Sequence, residues 1–138
     1  MSMTDPHPPE VMELLRRRGP GTRIAVAGAS ADLAKYGNII VRNLKDKGYT
    51  VLPVNPREDL IEGLPVAHTL ADLVKPVDIL VVVTPPPVTL RLMREAETAG
   101  FPAVWLQDGS FDDAVLEAAA AAPFKTVHHA CVMVVSNF

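Results

Sequence analysis

The sequence predicts an α/β protein built on a doubly wound parallel sheet of five strands in a single domain, and three observations carry that prediction. Short apolar runs at Ile24–Ala27, Tyr49–Val54, Val77–Val83, Ala103–Leu106 and from Lys125 onward alternate with stretches of helical periodicity. The third run is apolar almost throughout and mostly β-branched, as expected of a strand covered on both faces. Turn residues close each of the first four: Gly28, Asn55-Pro56, Thr84-Pro85-Pro86-Pro87 and Gln107-Asp108-Gly109. Right-handed crossovers between such units lead to an expected strand order of 3-2-1-4-5.

Each element has its own warrant. Met1 to Glu10 carries acids and prolines and no basic region followed by an apolar core, so it reads as a lead-in and not as a secretory signal. A short amphipathic helix follows, with Pro8 or Pro9 in its first turn and Val11, Leu14, Leu15 and Arg18 at helical spacing until Gly19-Pro20-Gly21. Arg16 to Arg18 complement the dipole at its end. The α/β core is expected over residues 23–138, with residues 1–22 as lead-in and helix. After the first strand, Ile39, Ile40, Asn43, Leu44 and Lys47 keep helical spacing as far as Gly48. Leu70 to Val74 reads as a short helical turn between the second and third strands. A helix over Val88 to Ala99 places Leu90, Met93, Ala96 and Glu97 in register and stops at Gly100. Ser110 with Asp113 reads as a capping pair opening the alanine-rich helix that Pro123 ends near Ala122. The last strand runs from Lys125 to His128 or His129, and Cys131 to Val135 fits either a strand or a buried turn.

Composition removes several functional classes. The 138 residues are 49% hydrophobic, enough for one core, and the net charge of -3 offers no field for non-specific nucleic-acid binding. The one cysteine, Cys131, permits neither an internal disulfide nor a zinc spacing, which suits a reducing cytoplasm. No apolar run approaches the roughly 20 residues of a membrane span.

Ligands of open parallel sheets bind beyond the carboxyl ends of the strands, where the order reverses. There the sequence places Gly28-Ala29-Ser30, a turn allowing close backbone approach, and Gly37, which lets the next helix begin against the sheet with its N–H groups facing a phosphate. The two glycines stand nine positions apart, so the ordinary dinucleotide fingerprint is missing. Strand two ends in Asn55-Pro56-Arg57 with no acid for a free ribose diol, and Arg57 suits an additional phosphate instead. Thr84, Pro85 and Pro87 form a rigid wall, or simply a helix start.

Taken together, Ile24-Ala25-Val26-Ala27-Gly28-Ala29-Ser30, Lys35-Tyr36-Gly37, Val51-Leu52-Pro53-Val54-Asn55-Pro56, the Val77-to-Pro85 run and Trp105-Leu106-Gln107 with Gly109 resemble the small stand-alone CoA-binding proteins. These are related to the CoA-binding domain of the succinyl-CoA synthetase alpha subunit, and the resemblance runs from about Arg23 to Cys131. It implies a Rossmann-like domain holding coenzyme A. Gly28, Ala29 and Ser30 would carry phosphate contacts beside Gly37, and Lys35 would meet the ligand's negative charge. Asn55, Pro56 and Arg57 would border the adenosine end, and Thr84, Pro85 and Pro87 the nucleotide or pantetheine. The sequence departs from the family pattern around Cys131, where His129-Ala130 precede it and Val135 stands in place of a glutamate, and the family's basic extension is not expected here. No phosphohistidine domain like that of the ligase relatives is expected in these residues, so His128 and His129 are expected to be surface residues and not phosphoryl carriers. Cys131 reads as a buried core cysteine or as a thiol able to exchange with that of CoA, and Trp105 as core with an N–H needing a partner.

The expected function is therefore non-catalytic binding of coenzyme A or an acyl-CoA in the cytoplasm, with homodimerisation a possible accompaniment and no metal, nucleic-acid or membrane partner. Two alternatives remain at this point: a CoA-binding subunit of a multi-chain acyl-CoA ligase or transferase, and an NAD(H)-binding redox sensor.

Overall fold

Helix α1 (Pro9–Arg16), strand β1 (Arg23–Ala27), helix α2 (Tyr36–Asp46) and strand β2 (Thr50–Val54) open the chain in a computed structural model describing residues 7–138. A hairpin of β3 (Leu60–Ile61) and β4 (Leu64–Pro65) and a 3-10 turn (Leu70–Asp72) lead to β5 (Ile79–Val82). Then α3 (Pro86–Ala99), β6 (Ala103–Leu106), α4 (Asp113–Ala121), β7 (Lys125–Val127) and α5 (Val132–Val135) complete it. Of the lead-in expected over Met1 to Glu10, residues 1–6 lie outside the described residues, and Pro9 and Glu10 already belong to α1. Among the described residues no helix is long and apolar enough to cross a membrane.

All pairings in the five-stranded sheet are parallel, in the order β2-β1-β5-β6-β7. The α/β class is as the sequence predicts, but the order is not 3-2-1-4-5: the third long strand, β5, lies against β1 and not outside β2. Two causes are visible. The carbonyl of Pro53 accepts from Ala67 and the N–H of Asn55 donates to Ala67, so these residues turn their backbone to the outer edge of β2. Proline has no N–H to offer a further strand there. On the other side, the Arg23 N–H donates to the Asp78 carboxylate at 2.8 Å, the Asp78 N–H to the Arg23 carbonyl at 2.9 Å and the Arg23 guanidinium to the Pro76 carbonyl at 2.6 Å. These bonds dock the start of β5 on β1.

Strand residues alternate between two cores. Ile24, Val26, Ile79, Val81 and Trp105 pack with α1, α2 and α5, whereas Ala25, Ala27, Leu80, Val82 and Leu106 pack with the 3-10 turn, α3 and α4. Val11, Met12 and Leu15 of α1 are buried in the first core. Trp105 is fully buried and its indole N–H donates to the Ala130 carbonyl at 2.9 Å, the partner its burial requires.

Other local expectations are corrected. Asp112, not Ser110, caps α4, its carboxylate accepting from the Val115 N–H at 3.0 Å, while the Ser110 hydroxyl donates to the Gln107 carbonyl at 2.6 Å. The buried stripe of α3 is Thr89, Leu92, Met93 and Ala96, with Glu97 exposed, because the helix turns this face to the 3-10 turn and sheet. Cys131 to Val135 resolves as the N-cap and the single turn of α5. The last strand stops at Val127, since His129 sits at φ 58 and breaks the extended chain.

Candidate functional site

The site begins where β1 ends. Gly28 has φ 93, and a Cβ there would meet the Val83 backbone at 3.1 Å. Gly37, in the first turn of α2, is tighter still: its Cβ would fall 2.0 Å from the Gly28 carbonyl oxygen. The helix N-terminus therefore rests directly on the Gly28 peptide, with the Asn38 and Ile39 N–H groups donating to the carbonyl of the N-cap residue Lys35 at 3.0 and 3.1 Å.

A cavity of about 460 Å³ opens on the other side of Gly28, between the carboxyl ends of β1, β2 and β5 and the face of α3. With the observed strand order, the reversal falls between β1 and β5, and this cavity lies there. Of the residues singled out in the sequence, Gly28, Pro56, Thr84 and Pro85 line it. Ala27, Val54, Leu70, Val88 and Leu92 supply its apolar wall, and His68, Thr69, Arg91 and Glu95 its polar groups. Sequence reasoning missed these, although Val88, Arg91, Leu92 and Glu95 follow the i, i+3, i+4, i+7 spacing of one helix face. Arg91 and Glu95 pair at 3.4 Å, and the His68 ring meets Asp59 at 2.9 Å.

The remaining candidates do not line this cavity. Ala29 is buried and its carbonyl accepts from the Asn55 side-chain amide at 2.8 Å, while the Asn55 carbonyl oxygen accepts from the N–H groups of Arg57 and Glu58 at 2.8 and 3.2 Å. Asn55 is thus a clasp between the β2 and β1 loops. The Ser30 hydroxyl accepts from the Asp32 N–H at 3.0 Å and the Ser30 carbonyl from the Asn38 amide at 2.8 Å. Lys35, the N-cap of α2, and Arg57 are exposed, as is Pro87 in the first turn of α3.

A second polar cluster sits across the N-terminus of α2. Cys131, partly exposed, faces the Tyr36 hydroxyl at 3.2 Å, and the buried Gln107 amide donates to Tyr36 at 3.2 Å and to the Cys131 sulfur at 3.5 Å. Burial pushes the Cys131 thiol up, but hydrogen bonds from Tyr36, Gln107 and the N–H groups of Val134 and Met133 outweigh it and hold the thiol below its usual range. The same bond, followed by burial, raises Tyr36 to about 12. These shifts correspond to Tyr36 donating to sulfur.

His128 and His129 are exposed, their Nδ1 atoms 2.6 Å apart beside Phe111. Desolvation, then the charges of His129 and His7, lowers the His128 pKa below 6.5. Its neutral form is favoured by folding, so stability is lost as pH falls from about 6.5 through the folded value. The wild-type melting temperature is expected to drop relative to that of His128→Asn between about pH 7.5 and 5. Parallel melting curves across that range would reject the assignment.

The family model of the CoA binding domain matches residues 22–137. A solved structure of a conserved hypothetical protein from Pyrococcus furiosus superposes with a TM-score of 0.79 at 42% identity, covering 82% of this chain and 97% of that one. The Bacillus subtilis protein YneT, itself uncharacterized, is 29% identical over 107 residues, 78% of this chain and 77% of its own. An ADP-forming acetate–CoA ligase from Methanocaldococcus jannaschii is 32% identical over 77 residues, 56% of this chain, and this match spans 11% of the ligase's length.

Proposed function

The chain belongs to the CoA-binding domain family, and on that premise we propose that it binds coenzyme A or an acyl-CoA without itself catalysing a reaction. The observation that carries this reading is the cavity at the strand-order reversal, which meets a loop and helix N-terminus so close together that a Cβ on Gly37 would fall 2.0 Å from the Gly28 oxygen. An apolar cavity beside a glycine loop and the positive end of a helix fits a ligand with a nucleoside at one end of a diphosphate. In this reading Val54, Pro56, Pro85 and Leu92 hold the adenosine, the loop from Gly28 to Ser30 and Lys35 hold the diphosphate, and Arg57, next to Pro56, meets the phosphate on the ribose. Coenzyme A, when bound, supplies a thiol that carries acyl groups; the protein's part is to bind and orient it.

A second reading draws on the acetate–CoA ligase match. In it this chain presents coenzyme A to catalytic parts on other chains.

Titration calorimetry of the reduced protein with CoA, acetyl-CoA, NADH and ATP tests the proposal. Saturable binding of CoA is expected, and no CoA binding, or tighter binding of NADH, would overturn it. Two variants refine the test. Lys35→Ala is expected to weaken CoA binding roughly tenfold with little change in melting temperature, because Lys35 is exposed. Asn55→Ala is expected to lower both affinity and stability, the latter by about 1–2 kcal/mol, because it unclasps two loops. Unchanged affinity in Lys35→Ala would remove Lys35 from the site.

A further inference from the structure

The β3–β4 hairpin lies outside the cavity lining, yet one of its residues is held in a strained backbone conformation and bonded toward the phosphate loop. Its two-residue connection is Glu62-Gly63, both with positive φ, 52 and 76. That pattern belongs to a type I′ turn, where asparagine or glycine is the favoured first residue and a glutamate is strained. The strained residue is secured on both sides: the Lys45 ammonium donates to the Glu62 carbonyl at 2.7 Å, and the Asn38 amide donates to the Glu62 carboxylate at 3.1 Å.

Asn38 is fully buried, and every polar group of its side chain is used. Its amide also donates to the Ser30 carbonyl at 2.8 Å, and its carbonyl oxygen accepts from the Arg42 guanidinium at 2.7 Å. Arg42 reaches the Leu33 carbonyl as well, at 3.1 Å. Two carbonyls of the loop between β1 and α2 are thus tied to α2 by side chains that Glu62 aligns from the hairpin.

We infer that Glu62 is a positioning residue for the phosphate loop: through Asn38 it holds the loop from Gly28 to Lys35 in the conformation that receives an anionic ligand. This rests on the CoA reading for the identity of the ligand, though not for the loop. A carboxylate near an anion site costs Coulomb energy. Its strained retention there is accounted for by the alignment it provides.

Two variants separate positioning from electrostatics and from folding. Glu62→Asn improves the turn but is too short to reach Asn38, whereas Glu62→Gln keeps an acceptor at the same reach without the charge. Glu62→Asn is expected to melt at the wild-type temperature or above, to bind CoA roughly five- to tenfold more weakly and to exchange loop amides faster in the ligand-free protein. Glu62→Gln is expected to stay within about twofold of wild type in affinity. Unchanged loop exchange in Glu62→Asn would overturn the inference whatever the ligand, as would CoA binding as tight as wild type or tighter. Failure of the wild-type protein to bind CoA, with faster loop exchange in Glu62→Asn, would overturn the CoA reading and leave the loop device standing.

Discussion

Replacing Gly37 by alanine is expected to unfold the protein or cost it about 3 kcal/mol or more, a fall of roughly 10 °C in melting temperature. The added carbon would lie 2.0 Å from the Gly28 oxygen and 3.1 Å from the Ala29 Cα. Both neighbours are backbone, so no side chain can swing away. Relief requires α2 to lift from the sheet, and Ile40, Val41 and Leu44 of that helix are fully buried against it. Gly21→Ala is the control, since nothing stands within 4 Å of its added carbon and its φ is ordinary. It is expected to stay within about 0.5 kcal/mol of wild type. Thermal denaturation of the pair decides the matter, and a Gly37→Ala protein as stable as the control would show that the helix does not need this approach.

The second large effect is expected at Gln107. Its side-chain oxygen accepts from the buried Val132 N–H at 2.8 Å, and its amide donates to both Tyr36 and Cys131. Gln107→Leu keeps the bulk but strands that N–H, at a cost of about 1–3 kcal/mol. It also withdraws one of the bonds that lower the Cys131 pKa. Alkylation of Cys131 at neutral pH is therefore expected to slow, with the difference from wild type fading as pH rises past the thiol range. Tyr36→Phe is the complement: it slows alkylation while leaving the Val132 N–H paired and the melting temperature close to wild type. If neither variant changes the pH profile of alkylation, the hydrogen bonds to sulfur do not govern its reactivity.

The positions of the strands were legible because a central parallel strand must be apolar on both faces, and Ile79 to Val82 has no other use. Their order is not fixed by right-handed crossovers alone, which allow the third long strand on either side of the first pair; the sequence signal that selects the side is Pro53, since a mid-strand proline marks an edge. The β3–β4 hairpin left no periodicity to detect, being two residues in each strand. In the loop after β1, the close approach of Gly28 and Gly37 is legible because a tight β-α turn with a helix starting against the sheet calls for glycine, and the resemblance to CoA-binding proteins is borne out by the family match. Asn55 shows the limit of residue type as a guide. A side chain that both donates and accepts suits a ligand, but it suits a loop clasp equally, and only the geometry of Ala29 and Arg57 distinguishes them. The α3 wall was missed for a related reason: Leu90, Met93, Ala96 and Glu97 and the stripe of Val88, Arg91, Leu92 and Glu95 both fit a helical period, and the packing partner selects between faces.

The same proline bears on how copies of this chain meet one another. An open parallel sheet ends in bare strands that invite a neighbour's strand, the first step of runaway aggregation. Here one border of the sheet is closed to recruitment: Pro53 has no donor, and Ala67 engages the Pro53 carbonyl and the next outward N–H, that of Asn55. The strand that a misreading would have placed beside β2 is thus one the molecule is built to refuse, from its own chain or from another. Pairing of two copies into one continuous sheet across β2 is disfavoured, and any self-association has to use other surfaces.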